Sequence, residues 1–184
     1  QAPESLAYVR LVVAASGTSG AGRKASESLL GSEVMGSMSP YKVGGVHQHT
    51  PEMEQALAAA AGEPVTMLFT PTLAPMPRGI LATCYARPRA GATPSTASLL
   101  ELVRQRWAGE PFMVVTDGSP STKATLGSNA VHVTARYDAR TNTVLAIAAL
   151  DNLAKGASGG AVQAANIALG LDETAGLTRV GVAP

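Results

Sequence analysis

Two strand patterns joined by a turn make up the segment Val131-His-Val-Thr-Ala-Arg-Tyr-Asp-Ala-Arg-Thr-Asn-Thr-Val-Leu-Ala-Ile-Ala-Ala-Leu150. In its first half, apolar and polar residues alternate, which places Val131 and Val133 on one face of a strand and His132 on the other. Residues 138–142 have the composition of a turn, and the apolar run after them is typical of a central strand. The segment therefore predicts a β-hairpin within a sheet, with His132 as a solvated or interface residue.

The remaining patterns add further strands and a few helices to this hairpin. They predict strands at 8–14, 65–70, 78–87 and 112–117, helices from Thr50 to Gly62 and from Thr93 to Gly109, loops at 31–40 and 118–125, and a tail from Gly176 to Pro184. Strands joined by hairpins and flanked by a few helices predict an α+β fold. Cys84 falls in mid-strand among apolar residues, so we interpret it as a small core residue rather than a nucleophile.

Composition excludes several classes of protein. The 184 residues suit one domain, or a large and a small lobe, and 46% hydrophobic residues are enough for a sizeable core. A net charge of +1 gives no indication of nucleic-acid or membrane binding, and no apolar run reaches the roughly 18 residues of a membrane span. A single cysteine rules out an internal disulfide framework, and the sequence has no cluster of metal-ligating residues that would predict a metal site. Because the sequence opens with Gln1 rather than Met, directly before a strand-like run, we expect a piece of a longer polypeptide or a processed chain.

The segment around residues 47–52 is the best candidate for acid/base chemistry. His47 and His49 lie just before a helix start, where Thr50 can cap and Pro51 suits the first helical position. Glu52 follows His49 by three residues and can hydrogen-bond its imidazole, which is the arrangement of a base and an orienting carboxylate. The alternative is a capped surface helix that two incidental histidines precede.

A glycine-rich loop, Ser16-Gly-Thr-Ser-Gly-Ala-Gly-Arg-Lys24, follows the first strand pattern. It resembles a phosphate-binding loop, but Arg23 and Lys24 stand where that loop needs Lys and Ser or Thr, so nucleotide hydrolysis is a distant alternative. A tight turn whose amides and Arg23 face an anion fits better, and a plain glycine turn is the remaining alternative. Arg78 follows a proline-stiffened loop at the start of a predicted strand, where its guanidinium can bind a carboxylate or phosphate. The alternative is a solvated charge at a strand end.

The segment from Asp151 to Leu169 starts with glycines and continues as a helix of small residues. Small side chains allow close approach of a ligand or of another element, and the start of such a helix favours an anion or an amide oxygen. A tightly packed structural helix is the alternative.

Six motifs occur in order along the chain: Ser16-Gly-Thr-Ser-Gly-Ala-Gly-Arg23, His47-Gln-His-Thr-Pro-Glu52, Arg78-Gly-Ile-Leu-Ala-Thr83, Gly127-Ser-Asn129, Asp151-Asn-Leu-Ala-Lys-Gly156 and Leu171-Asp-Glu-Thr-Ala-Gly-Leu177. Together they resemble the N-acetyl-γ-glutamyl-phosphate reductase family of arginine biosynthesis, in its actinobacterial form. The likeness spans nearly the whole chain but only the C-terminal part of that enzyme. The family's nucleotide-binding half and its Cys-Tyr-Pro nucleophile are not in this sequence, and Cys84 does not match that context.

The resemblance implies a fold and a reaction. The fold is a mixed, largely antiparallel sheet with helices on one face, like the C-terminal domains of glyceraldehyde-3-phosphate and aspartate-semialdehyde dehydrogenases. Residues 1–150 would form the substrate-binding, catalytic and dimerisation domain, and 151–184 a helix and tail that pack back on an N-terminal NADP-binding domain. The reaction is NADPH-dependent reduction of an acyl phosphate, N-acetyl-glutamyl 5-phosphate, to its semialdehyde, in a cytoplasmic homo-oligomer that assembles through the sheet face.

The same resemblance implies roles for individual residues. His49 matches the acid/base histidine and Glu52 would orient it, while Gln48 replaces the family's usual arginine. Groups that line the substrate site would be His47, Tyr41, Ser19, Arg23 and Arg78, and those that border the nicotinamide would be Asn152, Lys155 and Gly156. No residue is assigned to a metal. The second class of function that remains is a non-catalytic binding or assembly module, which Gln48 and the missing nucleophile support.

Overall fold

The computed structural model describes residues 7–182, with side chains from residue 11 onward. The strands are β1 Ala7–Ser16, β2 Ser39–Pro40, β3 Leu68–Leu73, β4 Ile80–Pro88, β5 Met113–Val115, β6 Val131–Asp138 and β7 Thr143–Leu150. The helices are α1 Gly31–Val34, α2 Thr50–Ala61, α3 Thr96–Arg106, α4 Thr122–Thr125 and α5 Gly159–Ala168, with 3-10 turns at Thr18–Ala21 and Glu27–Leu29 and a π-helical turn at Ala154–Ser158. Gln1 and Pro184 lie outside the described residues.

The seven strands form one mixed sheet in the order β2-β3-β1-β4-β7-β6-β5. Four neighbouring pairs are antiparallel, and only β1 with β3 and β5 with β6 are parallel. The predicted hairpin is β6–β7, which pairs from Val131 with Leu150 to Asp138 with Thr143. β7 also pairs with β4, so its apolar sequence reflects a central position. These observations confirm the α+β fold with a largely antiparallel sheet.

The two longer helices before β5 cover the same face of this sheet. The register places Val12, Cys84, Ala146 and Ala135 side by side across β1, β4, β7 and β6. On this face, α2 packs through Met53 and Leu57 against Val12 and Phe69, and α3 packs through Leu99 and Val103 against Ala86 and Val144. Cys84 is part of this core, as predicted, and burial raises the pKa of its thiol.

The opposite face of the sheet, here called the open face, is left uncovered by α2 and α3. Its apolar members, set by the same alternation and register, are Leu11, Val13, Leu68, Leu81, Leu145 and Ile147. Most are half-buried within the sheet, but the side chain of Leu68 is 54% exposed. An uncovered apolar sheet face of this kind is typical of protein contact surfaces.

Several boundaries differ from the predicted ones. Thr50 is the first helical residue of α2 rather than its cap, because its side chain is buried, while the cap position is taken by His49 without a capping hydrogen bond. α3 begins three residues later than predicted, at Thr96, where Ser95 and Ser98 form a reciprocal capping box. The predicted loops at 31–40 and 118–125 contain α1, β2 and α4, which are too short to show a hydrophobic period. Gly62 ends α2 with φ 72°, as predicted.

Candidate active site at one edge of the sheet

The predicted site residues gather at one edge of the sheet. Ser16 ends β1, Ile80 begins β4 and Leu150 ends β7, and these three residues are neighbours in register. The segments that continue from them are the glycine-rich loop 17–22, the proline-rich loop 74–79 and the turn 151–158. The topology therefore brings three of the six sequence motifs together.

The glycine-rich loop is hydrogen-bonded to the proline-rich loop. The amides of Gly17, Thr18 and Ser19 donate to the carbonyls of Gly79, Met76 and Pro77 at 2.8, 2.9 and 3.1 Å. A Cβ atom on Gly17 would lie 2.8 Å from the backbone of Arg78, so only glycine allows this approach. The amides of residues 17–19 are thus used within the fold, and the prediction that the amides of this turn face an anion is wrong for these three.

Asn152 joins both loops to the end of β7. Its Oδ1 accepts a hydrogen bond from the Gly79 amide at 2.7 Å, and its Nδ2 donates to Ser19 Oγ at 3.0 Å. Asn152 is 7% exposed, and its contact with the Gly79 amide is buried, while its contact with Ser19 is partly buried. Two predicted site residues, Ser19 and Asn152, are therefore in direct contact, and Arg78 lies next to the bonded glycine.

Arg78 is bound to a carboxylate that was not among the site residues predicted from the sequence. Its Nη2 and Nε donate to Asp151 Oδ1 at 2.8 and 3.2 Å. Asp151 is fully buried and also accepts from the amides of Gly127, Leu153 and Ala154 at 2.7, 2.9 and 2.8 Å. Burial raises the pKa of Asp151, but these amide hydrogen bonds and the guanidinium outweigh it and hold the pKa below its usual value. The position of Asp151 in the sequence, between a strand end and a glycine-rich helix start, could have indicated this role. A carboxylate at such a position can accept hydrogen bonds from the first amides of the helix.

The histidines form a second group beside this network. The His47 ring lies 5.0 Å from the Phe69 ring, 5.7 Å from Tyr41 and 5.1 Å from His49, measured between centroids. His47 Nδ1 accepts from the His49 amide at 3.2 Å, which leaves the proton of neutral His47 on Nε2. Burial, then the nearby charges of His49 and Lys42, lower the pKa of His47, so its ring is neutral at pH 7.

His49 is exposed at the start of α2. Its Nε2 lies 3.3 Å from Gln48 Nε2. Between residues 11 and 182, where side chains are described, no hydrogen bond joins His49 to Glu52, which is exposed in the first helical turn. The orienting role of Glu52 therefore stays a prediction, and the imidazole of His49 is accessible to a group from outside the chain.

Tyr41 and Ser16 connect the two groups. The Tyr41 hydroxyl is hydrogen-bonded to Ser16, and burial raises the pKa of Tyr41 more than this bond lowers it. A Cβ atom on Gly20 would lie 3.6 Å from Ser16 Oγ and 3.5 Å from Asn152 Nδ2, so these polar atoms are near neighbours. The edge thus carries imidazole, phenol, hydroxyl and amide groups in one region on the helix-covered side.

Arg23 and Lys155 have different surroundings from each other. Arg23 lines an open cavity of about 310 Å³ together with Ser19 and Lys24, and it makes no ion pair with any residue that the structure describes. Lys155 Nζ, in contrast, donates to Gln163 Oε1 and lies 5.5 Å from the centre of the Phe112 ring. Gly156 is exposed on the π-helical turn. The structure therefore leaves Arg23 free to bind a ligand and holds Lys155 against its own domain.

Residues 7–182 contain neither a cluster of metal ligands nor a membrane-spanning helix. No three histidine, cysteine or acidic side chains in this range are grouped as metal ligands would be. No helix in this range combines the length and apolar character that crossing a membrane requires.

Comparisons with known proteins agree with this fold. The family described as semialdehyde dehydrogenase, dimerisation domain, matches residues 6–152. Aspartate semialdehyde dehydrogenase II from Vibrio cholerae superposes with a TM-score of 0.65 over 88% of this chain and 55% of that one, at 16% identity. A probable aspartate-semialdehyde dehydrogenase from Pseudomonas aeruginosa gives 0.61 over 89% and 56%, also at 16% identity. These structures share the mixed sheet and its helices.

Curated relatives are more similar in sequence. The N-acetyl-gamma-glutamyl-phosphate reductase of Streptomyces coelicolor is 60% identical over 176 residues, which cover 95% of this chain and 51% of the relative. The protein of that name from Micrococcus luteus is 58% identical over 180 residues, covering 95% and 50%. The chain thus spans about half the length of these relatives. Sequence and structure together show that the chain belongs to the semialdehyde dehydrogenase dimerisation-domain family.

Proposed function

We propose that this chain is the catalytic and dimerisation half of an N-acetyl-γ-glutamyl-phosphate reductase, a cytoplasmic enzyme of arginine biosynthesis. The complete protein would join it to a nucleotide-binding half that carries the nucleophilic cysteine. The observation that carries the proposal is an exposed His49 beside a buried, neutral His47, at the sheet edge where Ser19, Asn152 and Arg78 meet. High identity to reductases of that name supports the substrate assignment.

His49 would be the proton carrier of the reaction. Its accessible imidazole takes the proton of the cysteine thiol, and the thiolate attacks the acyl carbon of N-acetyl-glutamyl 5-phosphate, from which phosphate leaves. When bound by the nucleotide-binding half, NADPH would supply the hydride that reduces the resulting thioester. His49 then gives its proton to the carbonyl oxygen, and collapse of the thiohemiacetal returns that proton and releases the semialdehyde and the thiolate.

His47, Tyr41 and Glu52 would support His49. The Nδ1 atom of His47 holds the backbone amide of His49, so the buried ring fixes the point from which the catalytic imidazole projects. Tyr41 packs on His47 and presents its hydroxyl next to Ser16, where it would line the substrate pocket. Glu52 lies one turn along α2 and would orient the ring of His49 once that ring turns away from Gln48.

The anionic groups of the substrate would bind near Ser19, Arg23 and Arg78. Because Asp151 compensates the charge of Arg78, that guanidinium supplies hydrogen bonds rather than net positive charge. Arg23 is unpaired in its cavity with Ser19, so it would provide the attraction for a carboxylate or phosphate. In this proposal Arg23 attracts the anionic group of the substrate, while Arg78 supplies hydrogen bonds and helps to define the shape of the site.

The cofactor would be held mainly by the nucleotide-binding half. Asn152 already uses both amide atoms within the fold, and Lys155 is bound to Gln163. Leu153, just before the π-helical turn, and Gly156, within it, are in contrast exposed and would fit contact with a flat ring held by another domain. Residues 152–156 would therefore border the nicotinamide of NADP without binding its phosphates.

Two apolar surfaces fit the expected partners. The open face suits contact with a second copy of the chain, consistent with the dimerisation-domain family. The flank of α5 and the residues after it expose Val162, Ile167, Leu169 and Leu171. We assign this second surface to the nucleotide-binding half, against which residues 151–184 would pack.

The second candidate function is a non-catalytic binding or assembly module. It is favoured by Gln48, which contacts His49 where the family usually has an arginine. An assay of the complete protein with NADP, N-acetyl-glutamate 5-semialdehyde and inorganic phosphate separates the two. The reductase proposal predicts NADP reduction that requires phosphate, because the reverse reaction forms an acyl phosphate. A folded complete protein without this activity would favour the module.

A further inference from the structure

Lys123 and Arg179 are among the basic residues that form no ion pair within the described part of the chain. Arg78, Arg89, Arg104 and Arg140 each contact a carboxylate. Lys123 and Arg179 make no ion pair or hydrogen bond through their side chains within residues 11–182. Both line one cavity, whose wall therefore contains two basic residues without an ion-pair partner among residues 11–182.

This cavity has a volume of about 640 Å³ and lies on the other side of the sheet from His47 and His49. Its lining comprises Val114, Ser121, Lys123, Ala124, His132, Arg179, Val180 and Gly181, with no acidic residue among them. His132 pairs with Ala149 in register, which places its ring on the open face near the start of β6. The cavity is therefore at the margin of that face, beside the terminal strand β5.

Arg179 lies in the segment 178–182, which is hydrogen-bonded to the rest of the fold at both of its ends. The Asn129 amide donates to the Thr178 carbonyl at 2.8 Å, and the Val182 amide donates to the Leu126 carbonyl at 2.8 Å. Between these bonds, a Cβ atom on Gly181 would lie 2.3 Å from the Ala124 carbonyl oxygen, so the segment packs tightly on α4. The tail thus fixes the backbone of Arg179 at the cavity.

The polar groups around the cavity can all donate hydrogen bonds. Ser121 Oγ accepts from the Lys123 amide at 3.3 Å, which leaves its own proton for a ligand. Burial lowers the pKa of His132, so at neutral pH the ring keeps one N–H donor. The Arg179 guanidinium offers paired donors that match two oxygens of a phosphate or carboxylate, and Lys123 adds a compact charge.

We propose that this cavity binds a small dianion, such as a phosphate monoester or a dicarboxylate, between Lys123 and Arg179, with Ser121 and His132 as additional donors. Two cations and no acid in the lining favour a ligand with two negative charges over a neutral one. The site is separate from the cavity of Ser19 and Arg23, and it does not depend on the proposed reductase activity.

The test uses the complete protein with labelled histidine side chains, followed by NMR during titration with inorganic phosphate and, separately, with succinate. Ionic strength is held constant with sodium chloride. We expect saturable shifts of the His132 signals and a rise in its pKa, because a bound anion favours the imidazolium. Phosphate in the catalytic site would instead move His47 and His49. A response to phosphate alone identifies a phosphate site, and a response to both identifies a general dianion site.

Charge-removing variants complete the test. Lys123→Ala and Arg179→Ala should each weaken the effect on His132 by about tenfold or more, because each removes a charge-assisted hydrogen bond. Arg140→Ala is the matched control, since it removes an exposed arginine from the β6–β7 turn. No saturable shift of His132, an equal shift with chloride alone, or an unchanged response in both variants would overturn the proposal.

Discussion

The guanidinium of Arg78 is bound to the fully buried carboxylate of Asp151, with Nη2 2.8 Å from Oδ1. The pair joins the start of β4 to the end of β7, and Asp151 also holds the amide of Gly127 and the first amides of the π-helical turn. Asn152 continues the same connection through Gly79 and Ser19. The candidate site is therefore a rigid edge in which loops distant in sequence share their polar groups.

Replacing Asp151 by asparagine should destabilise the fold by about 3 kcal/mol, because a buried carboxylate that holds a cation and several amides is lost. The pKa of Asp151 is lower in the folded chain than its unfolded value of about 3.9. Its contribution is therefore present above pH 4 and is lost as the pH falls through the folded pKa. Urea unfolding at pH 7 and pH 3 should show a smaller difference between wild type and variant at pH 3. An equal difference at both values would contradict the assigned role.

Gly17→Ala tests the close approach of the two loops. The added Cβ atom would lie 2.8 Å from the Arg78 backbone, so we expect a loss of about 1–3 kcal/mol in unfolding free energy. Gly20→Ala is the matched control, because its Cβ atom would meet Asn152 and Ser16 at ordinary contact distances of 3.5 and 3.6 Å. Chemical unfolding of both variants checks this. Equal stability of the two variants would show that the loops can separate without cost.

Leu68→Lys tests the open face as a subunit contact. Leu68 is 54% exposed on that face, and a charge there should shift the complete protein toward monomer. Leu30→Lys is the control, since Leu30 is 52% exposed but lies outside the sheet. Sedimentation velocity measures the two variants at several concentrations. If Leu68→Lys assembles like wild type, the open face is not the contact.

Glu52→Gln tests the orienting role that the sequence predicts for Glu52. Replacing the carboxylate removes its attraction for a protonated His49, so turnover should fall less than on removal of His49 and its pH profile should shift. The matched control is Glu63→Gln, because Glu63 lies beyond α2 and pairs with Arg89. An unchanged profile for Glu52→Gln would remove Glu52 from the site.

Periodic patterns explain what the sequence could predict. The alternation in β6 and the apolar run of β7 correctly gave the central hairpin, and the amphipathic pattern of α3 gave a helix on the sheet. His47 and His49 could be predicted as candidate site residues because both come just before a recognisable helix start. The Arg78–Asp151 pair could not, because its members are 73 residues apart and only the register of β4 with β7 brings them together. Thr50 was misplaced because tertiary burial overrode its capping preference.

The most direct test of the reductase proposal is the turnover of the His49→Ala variant of the complete protein. Because His49 is exposed, the variant should fold like wild type, which circular dichroism and the unfolding midpoint check. We expect kcat to fall by about 10²–10⁴-fold, the usual contribution of a positioned proton carrier. Wild-type turnover in a folded His49→Ala protein would contradict the assignment of His49 as the acid/base residue.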